Sequence, residues 1–292
     1  MSTKVGSSVR KVVVIGVGSI GSRHVSNLRT LRPEADLVVC DPRFLVERFG
    51  VVFTDYREAI RGHPDADCVI IASPTEAHLG QIHALSTVPF YCEKPLCSVE
   101  QFNDEDVEIF LDEVAAHSQV PCAVGFQYRF ALTDEMRAVV RRNGHVRFYA
   151  RDRLIDRYGP TCLETMASAG IGLGLWLLGP AREVNMQTDG ASVRGRIVHT
   201  TGAVSGYDYR IDDGTRVSML VSESADGKTI DGWGLSADNQ MYLDALLAWL
   251  GWVEGGERDE RTAVLSDGLA VMAVMSKVAA HGFGHGTREA VT

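Results

Sequence analysis

The sequence predicts an α/β protein: an N-terminal Rossmann-type, doubly wound parallel sheet, then an α+β domain with a mostly antiparallel sheet. Three observations predict it. From Lys11 to Val124, short runs that are apolar on both faces alternate with helical patterns. A glycine fingerprint stands between the first run and the first helix. After Phe130 the runs alternate apolar and polar residues and are broken by turn signals.

The runs VVVI at 12–15, LVVC at 37–40, CVIIA at 68–72, PFYC at 89–92 and CAVGF at 122–126 read as strands of the first sheet. Ser98, with Gln101 three residues on, forms a capping box that opens a helix expected to run to about His117. A helix follows Thr133, then strand-like stretches at 145–152, 182–199, 203–211 and 215–222. Asn143-Gly144, Asp189-Gly190 and Asp213-Gly214 read as hairpin turns between them. Helices are expected at 239–252 and at 263–280, where Val264, Leu269, Val271, Met272, Met275 and Val278 make an apolar face. The tail from His281 has three glycines and few anchors, so it is expected to be loose. The domains are drawn as 1–124 and 125–292.

A length of 292 residues suits about two domains. With 29 basic against 38 acidic residues the net charge is −9, which removes the electrostatic basis for a general nucleic-acid or anionic-membrane surface. The longest apolar stretch, around Ile171 to Leu178, is too short to span a bilayer, and Met1–Arg10 lacks the apolar core of a signal peptide. A cytoplasmic location follows as the expectation. Cys40, Cys68, Cys92, Cys97, Cys122 and Cys162 form no C-x-x-C pair and read as buried thiols. His24, His63, His78 and His83 lack the paired spacing of a zinc site, so no metal is expected.

Gly16-Val17-Gly18-Ser19-Ile20-Gly21 follows the first strand and opens a helix. In that context Gly16 permits the tight turn, Gly18 lets backbone approach a pyrophosphate, and Gly21 lets helix and strand pack closely. Asp41 ends the second strand, where an acid accepts bonds from the adenosine ribose, favouring NAD over NADP. Arg43 weakens that preference if it pairs with a 2′-phosphate. Ser73, Pro74, Thr75 and His78 follow the fourth strand, and Glu93 and Lys94 end the fifth. Strand ends of this kind line the ligand crevice, so these residues are expected near the nicotinamide half.

These segments resemble one family. The fingerprint with His24 behind it, S-P-T-x-x-H at 73–78, E-K-P at 93–95, G-F-Q-Y-R-F at 125–130 and W-L-L-G-P at 176–180 are similar to the glucose-fructose oxidoreductase, inositol dehydrogenase and rhizopine-catabolism group, Gfo/Idh/MocA. The resemblance implies an NAD(P)-binding domain and a C-terminal domain with a large open sheet, often used to form a homodimer or homotetramer. It also implies oxidation or reduction of a secondary alcohol or ketone on a sugar, cyclitol or related polar small molecule, with Lys94 in the active site. The chain departs from the family before W-L-x-G, where a D-x-G-x-H-x-x-D stretch is usual. Counted back from Trp176, those acid–base positions hold Thr165, Ala169 and Gly172, and no histidine occurs between His145 and His199. The segment TMASAGIGLGLWLLG reads instead as a tightly packed, small-residue helix.

Alcohol oxidation releases a proton as well as a hydride, so a base must reach the hydroxyl. Lys94 is the first substitute for the missing histidine, since burial and a positive nicotinamide ring both lower an amine pKa. Tyr128 and Tyr158 are the second, as phenols able to pass a proton beside a lysinium. Arg129 suits a bidentate hold on an anionic or hydroxylated substrate. Arg157, in the mixed-charge run from Arg151, and Thr165 are candidate substrate contacts. Two other readings compete with alcohol chemistry: an imine or double-bond reductase or cofactor-recycling eliminase of specialised metabolism, and a non-catalytic NAD-binding sensor or subunit.

Overall fold

The computed structural model describes residues 8–43, 51–85, 88–102, 109–110, 113–114, 120–153, 162–212, 217–235, 238–280 and 289–290. The chain divides into two compact units, residues 1–130 with 238–266 and residues 131–237 with 267–292.

The first unit begins with β1 (Lys11–Ile15), α1 (Ser19–Leu31), β2 (Asp36–Cys40), β3 (Val51–Phe53), α2 (Tyr56–Gly62), β4 (Cys68–Ile71), α3 (His78–Ala84), β5 (Phe90–Glu93) and β6 (Ala123–Gly125). These six strands lie side by side in the order β6-β5-β4-β1-β2-β3, all parallel. Val12, Val13, Val14, Ile70 and Ile71 are fully buried, as expected for strands covered on both faces. Because β1 lies between β2 and β4, the winding reverses beside β1, and the crevice at the carboxyl ends of β1 and β4 is the natural ligand position. The capping box at Ser98 and Gln101 is present, on a 3-10 turn Val99–Gln101. Most of the helix expected up to His117 lies outside the described residues.

The second unit starts with α4 (Asp134–Asn143), whose first turn is capped by Thr133 Oγ1 accepting from the Met136 N–H. Gly144 ends it at φ +68°, so Asn143-Gly144 closes a helix and is not a hairpin turn. Next come β7 (His145–Arg153), a π-type turn Leu163–Ala167 running into α5 (Ser168–Leu178), β8 (Ala181–Thr188), β9 (Ser192–His199), β10 (Val204–Asp212), β11 (Val217–Glu223) and β12 (Thr229–Gly234). They form a sheet in the order β12-β11-β7-β10-β9-β8, antiparallel except for β7 with β10. Gly190, at φ +85°, turns the β8–β9 hairpin. Asp213-Gly214 lies outside the described residues.

The small-residue helix is explained by what it covers. A Cβ on Gly170 or Gly174 would collide with the hydroxyl of Tyr209 or Tyr207 on β10, so these two glycines let the phenol ends fit against α5. A hydrogen-bond chain continues from there: Tyr207 Oη to Ser205 Oγ at 2.8 Å, Ser205 Oγ to His199 Nε2 at 2.7 Å, and His199 Nδ1 to Gly179 O at 2.6 Å. Every group is satisfied if Nδ1–H donates to the carbonyl, Nε2 accepts from Ser205, and Ser205 accepts from Tyr207.

The last elements are α6 (Asn239–Val253), β13 (Ala263–Val264), α7 (Leu265–Ala280) and β14 (Glu289–Ala290), which pairs with β8. The sequence boundary at Val124 assigned all of them to the second domain, yet α6 and β13 belong to the first unit. Leu246, Trp249 and Leu250 are fully buried with Val12, Val14 and Leu28. Trp249 Nε1 donates to Pro121 O at 2.9 Å, and Arg32 holds Glu254 through two bonds of 2.7 and 2.6 Å. β13 adds an antiparallel strand beside β6.

Candidate active site

The fingerprint glycines have different duties. Gly16 sits at φ +85°, and a Cβ there would lie 2.6 Å from Ala72 O and from the Ser73 backbone. A Cβ on Gly21 would run into Gly16 O. Both are demanded by the fold. Gly18 is different: a Cβ there would meet only Arg43 Nη2, at 3.6 Å. It also heads α1 with no side-chain cap and no acid in the first turn, so the helix presents bare N–H groups and its positive end. That cradle fits a pyrophosphate. Ser19 is exposed and Ile20 half-buried beside it.

Asp41 is 2% exposed at the end of β2. Its Oδ2 accepts from the Val17 N–H (2.9 Å) and Arg43 Nη2 (3.1 Å), and its Oδ1 from the Arg43 N–H (2.9 Å) and Nε (3.1 Å). Burial raises the carboxyl pKa, but the Arg43 and Val17 bonds outweigh it and hold the group below the usual carboxylate range. Asp41 therefore fixes the glycine loop as well as ending the strand.

Past β4, Ser73 Oγ donates to Gln81 Oε1 at 2.7 Å, Pro74 is exposed and Thr75 half-buried. His78 is 1% exposed, with Nδ1 2.9 Å from Pro95 O and Nε2 3.0 Å from Ser73 O. The ring is a brace between the loops that follow β4 and β5. Burial, opposed by the carbonyl contacts, depresses its pKa.

Glu93 is the hub that residue spacing did not reveal. Its Oε1 lies 2.7 Å from His24 Nε2 on α1 and 2.6 Å from Gln127 Nε2 beyond β6. His24 is fully buried, its ring edge-on to Tyr91 (5.5 Å) and Tyr242 (6.3 Å), and its Nδ1 has no hydrogen-bond partner. Nε2–H therefore donates to the carboxylate, because the opposite tautomer would bury an unsatisfied N–H. A Cβ on Gly125 would stand 2.9 Å from Glu93 Oε2 and 2.8 Å from Gln127 Nε2, so a side chain there would disturb the hub. Lys94 follows Glu93 directly, is half-buried, and joins Pro95 through a cis peptide. Tyr128, half-buried, follows Gln127 on a 3-10 turn Gln127–Ala131. One carboxylate oxygen thus ties together the fingerprint helix and the strand ends that carry Lys94 and Tyr128.

Arg129 is 2% exposed, its guanidinium 5.8 Å from the Phe126 ring. In the second unit Thr165 is half-buried on the π-type turn, where Ser168 Oγ donates to Glu164 O at 2.7 Å, and Ala169 is 6% exposed. Tyr158 and Arg157 lie outside the described residues. Among the described residues no group of three or more His, Cys, Asp or Glu is placed to hold a metal, and no helix is long and apolar enough to cross a membrane.

A Rossmann-type sheet with an open glycine cradle and an acid at the end of β2 is the arrangement of a dinucleotide-binding domain. Residues 10–126 match the model of the Gfo/Idh/MocA oxidoreductase family, NAD-binding Rossmann fold. Over 134 residues it is 34% identical to inositol 2-dehydrogenase of Mycolicibacterium smegmatis, covering 41% of this chain and 36% of that protein. Over 129 residues it is 30% identical to myo-inositol 2-dehydrogenase of Thermotoga maritima, covering 41% of this chain and 37% of that protein. The match therefore spans little more than a third of either relative. A myo-inositol dehydrogenase structure from Corynebacterium glutamicum superposes with a TM-score of 0.78 at 16% identity, over 97% of this chain and 99% of that one, which shows a shared fold.

Proposed function

We propose that this chain is an NAD(P)-dependent oxidoreductase that moves a hydride between nicotinamide and a secondary alcohol or ketone of a cyclitol, sugar or related polar small molecule. The observation that carries it is the Glu93 hub, which fastens the E-K-P strand end to the fingerprint helix. The inositol dehydrogenases among its relatives support the substrate class. Bound NAD(P) would supply the hydride acceptor or donor, held by Gly16–Gly21, Asp41 and the Ser73–Thr75 turn.

The proton is the chain's own task. In oxidation Lys94 takes it from the substrate hydroxyl; in reduction Lys94, with Tyr128, returns it to the carbonyl oxygen. Glu93 and His24 hold the strand end that presents Lys94. Arg157, Tyr158 and Thr165 are proposed substrate contacts on their sequence positions alone. A homodimer or homotetramer through the second-unit sheet and a cytoplasmic location complete the proposal, the latter supported by six cysteines that are all free and buried.

The test is incubation with NAD or NADP and a panel of cyclitols, sugars and their ketones, following nucleotide reduction or oxidation. Turnover of at least one panel member at roughly 1 s⁻¹ or faster is expected. Dinucleotide binding with no turnover of any member would overturn the assignment.

A further inference from the structure

A cavity of about 430 Å³ lies within the second unit and shares no residue with the dinucleotide cradle or with Lys94. Sites for small organic molecules have volumes of roughly 300–1,000 Å³, so it is large enough to hold one. Leu177 and Leu178, in the last turn of α5, and Ala203, in the turn between β9 and β10, give it an apolar lining. Arg141 and His145, at the end of α4 and the start of β7, are its two titratable heads. No acid lines it, and among the described residues neither head is paired with a carboxylate, in a chain of net charge −9. The Arg141 guanidinium lies 5.8 Å from the Trp176 ring, a cation–π contact that limits its motion. His145 Nδ1 is 3.2 Å from Asn143 O, which leaves Nε2 as the remaining polar atom of the ring.

The lining also sets the charge of the ligand. Both α4 and α5 end here, and the negative ends of their dipoles oppose a dianion. The backbone N–H groups of Gly144, Gly202 and Ala203 already donate to Val140 O, His199 O and Thr201 Oγ1, so they form no backbone nest for a phosphate. One guanidinium beside two leucines suits a single negative charge on a short apolar body. We propose that this cavity is a second ligand site, for a small monocarboxylate: Arg141 holds the carboxylate as a bidentate pair with His145 beside it, and the carbon chain packs against Leu177, Leu178 and Ala203. The site stands independently of the dinucleotide reading, since it draws on the second unit alone.

The experiment titrates the full chain by calorimetry with sodium butyrate, 1-butanol and inorganic phosphate, and repeats the butyrate titration on Arg141→Ala and Ala203→Leu. The first variant removes the guanidinium; the second keeps it and fills the cavity. The expected result is saturable butyrate binding in the low-millimolar range, with 1-butanol and phosphate each weaker than butyrate by at least about fivefold. Each variant should weaken butyrate by at least about fivefold as well. Thermal unfolding checks that both variants fold, and Arg141→Gln and Ala203→Met replace either one that does not. No saturable butyrate binding below about 50 mM, phosphate or 1-butanol within fivefold of butyrate, or a smaller loss than fivefold in either folded variant overturns the site.

Discussion

His24 Nε2 and Glu93 Oε1 stand 2.7 Å apart inside the first unit, one on the fingerprint helix and the other next to Lys94. The imidazole is fully buried and the carboxylate side chain 10% exposed, so neither gives up its partner without cost. His24→Ala leaves the carboxylate with the Gln127 bond alone. It is expected to lower stability by about 3 kcal/mol in urea unfolding, with His24→Gln losing less. A loss under about 0.5 kcal/mol would show that the pair does not hold the strand end.

The glycines of the fingerprint separate by substitution. Gly18 has φ −62° and room for a methyl group, so Gly18→Ala should leave unliganded stability unchanged or raised by up to about 1 kcal/mol. The same methyl would stand in the uncapped cradle at the head of α1 and should weaken dinucleotide binding about tenfold or more. Gly21→Ala, which collides with Gly16 O, should destabilise the free protein. Thermal unfolding with and without NADH distinguishes the two, and equal effects on both measures would refute the division.

Stability should fall as the medium is acidified below about pH 6.5. Burial depresses the pKa of both His78 and His199 below the ordinary 6.5. The unfolded chain thus takes up these protons first, so the stabilisation is complete above 6.5 and is lost as pH falls toward the folded values, at up to ~1.4 kcal/mol per pH unit for each ring. The carboxyls of Asp41 and Glu254, held low in the folded state, stabilise above their ordinary 3.8 and 4.5 and lose that contribution at lower pH still. Urea unfolding at several pH values between about 5 and 7.5 should show the rise, with a shallower slope in His199→Gln. A flat profile in that window would contradict the buried neutral rings.

The parallel sheet was legible because strands buried on both faces must be apolar throughout, as Val12–Ile15 and Cys68–Ile71 are. The antiparallel sheet was legible from alternation and from Asp189-Gly190. What escaped depends on long-range packing. Glu93 meets His24 across 69 positions, and Trp249 meets Pro121 across 128, and no local pattern encodes either contact. β12, mostly exposed and carrying Gly232 and Gly234, lacks a strand-like composition. Asn143-Gly144 has the composition of a hairpin turn but follows a helix, where an αL glycine caps equally well. At the site, the spacing that places Asp41 opposite a ribose is silent about Arg43 already filling its oxygens.

The proposed role of Lys94, moving the substrate proton while other residues hold the cofactor, is tested most directly by assaying Lys94→Ala for both functions. NADH binding within about threefold of the unaltered chain, with turnover reduced about 10²-fold or more, is the predicted result. Turnover within tenfold of the unaltered chain would contradict it.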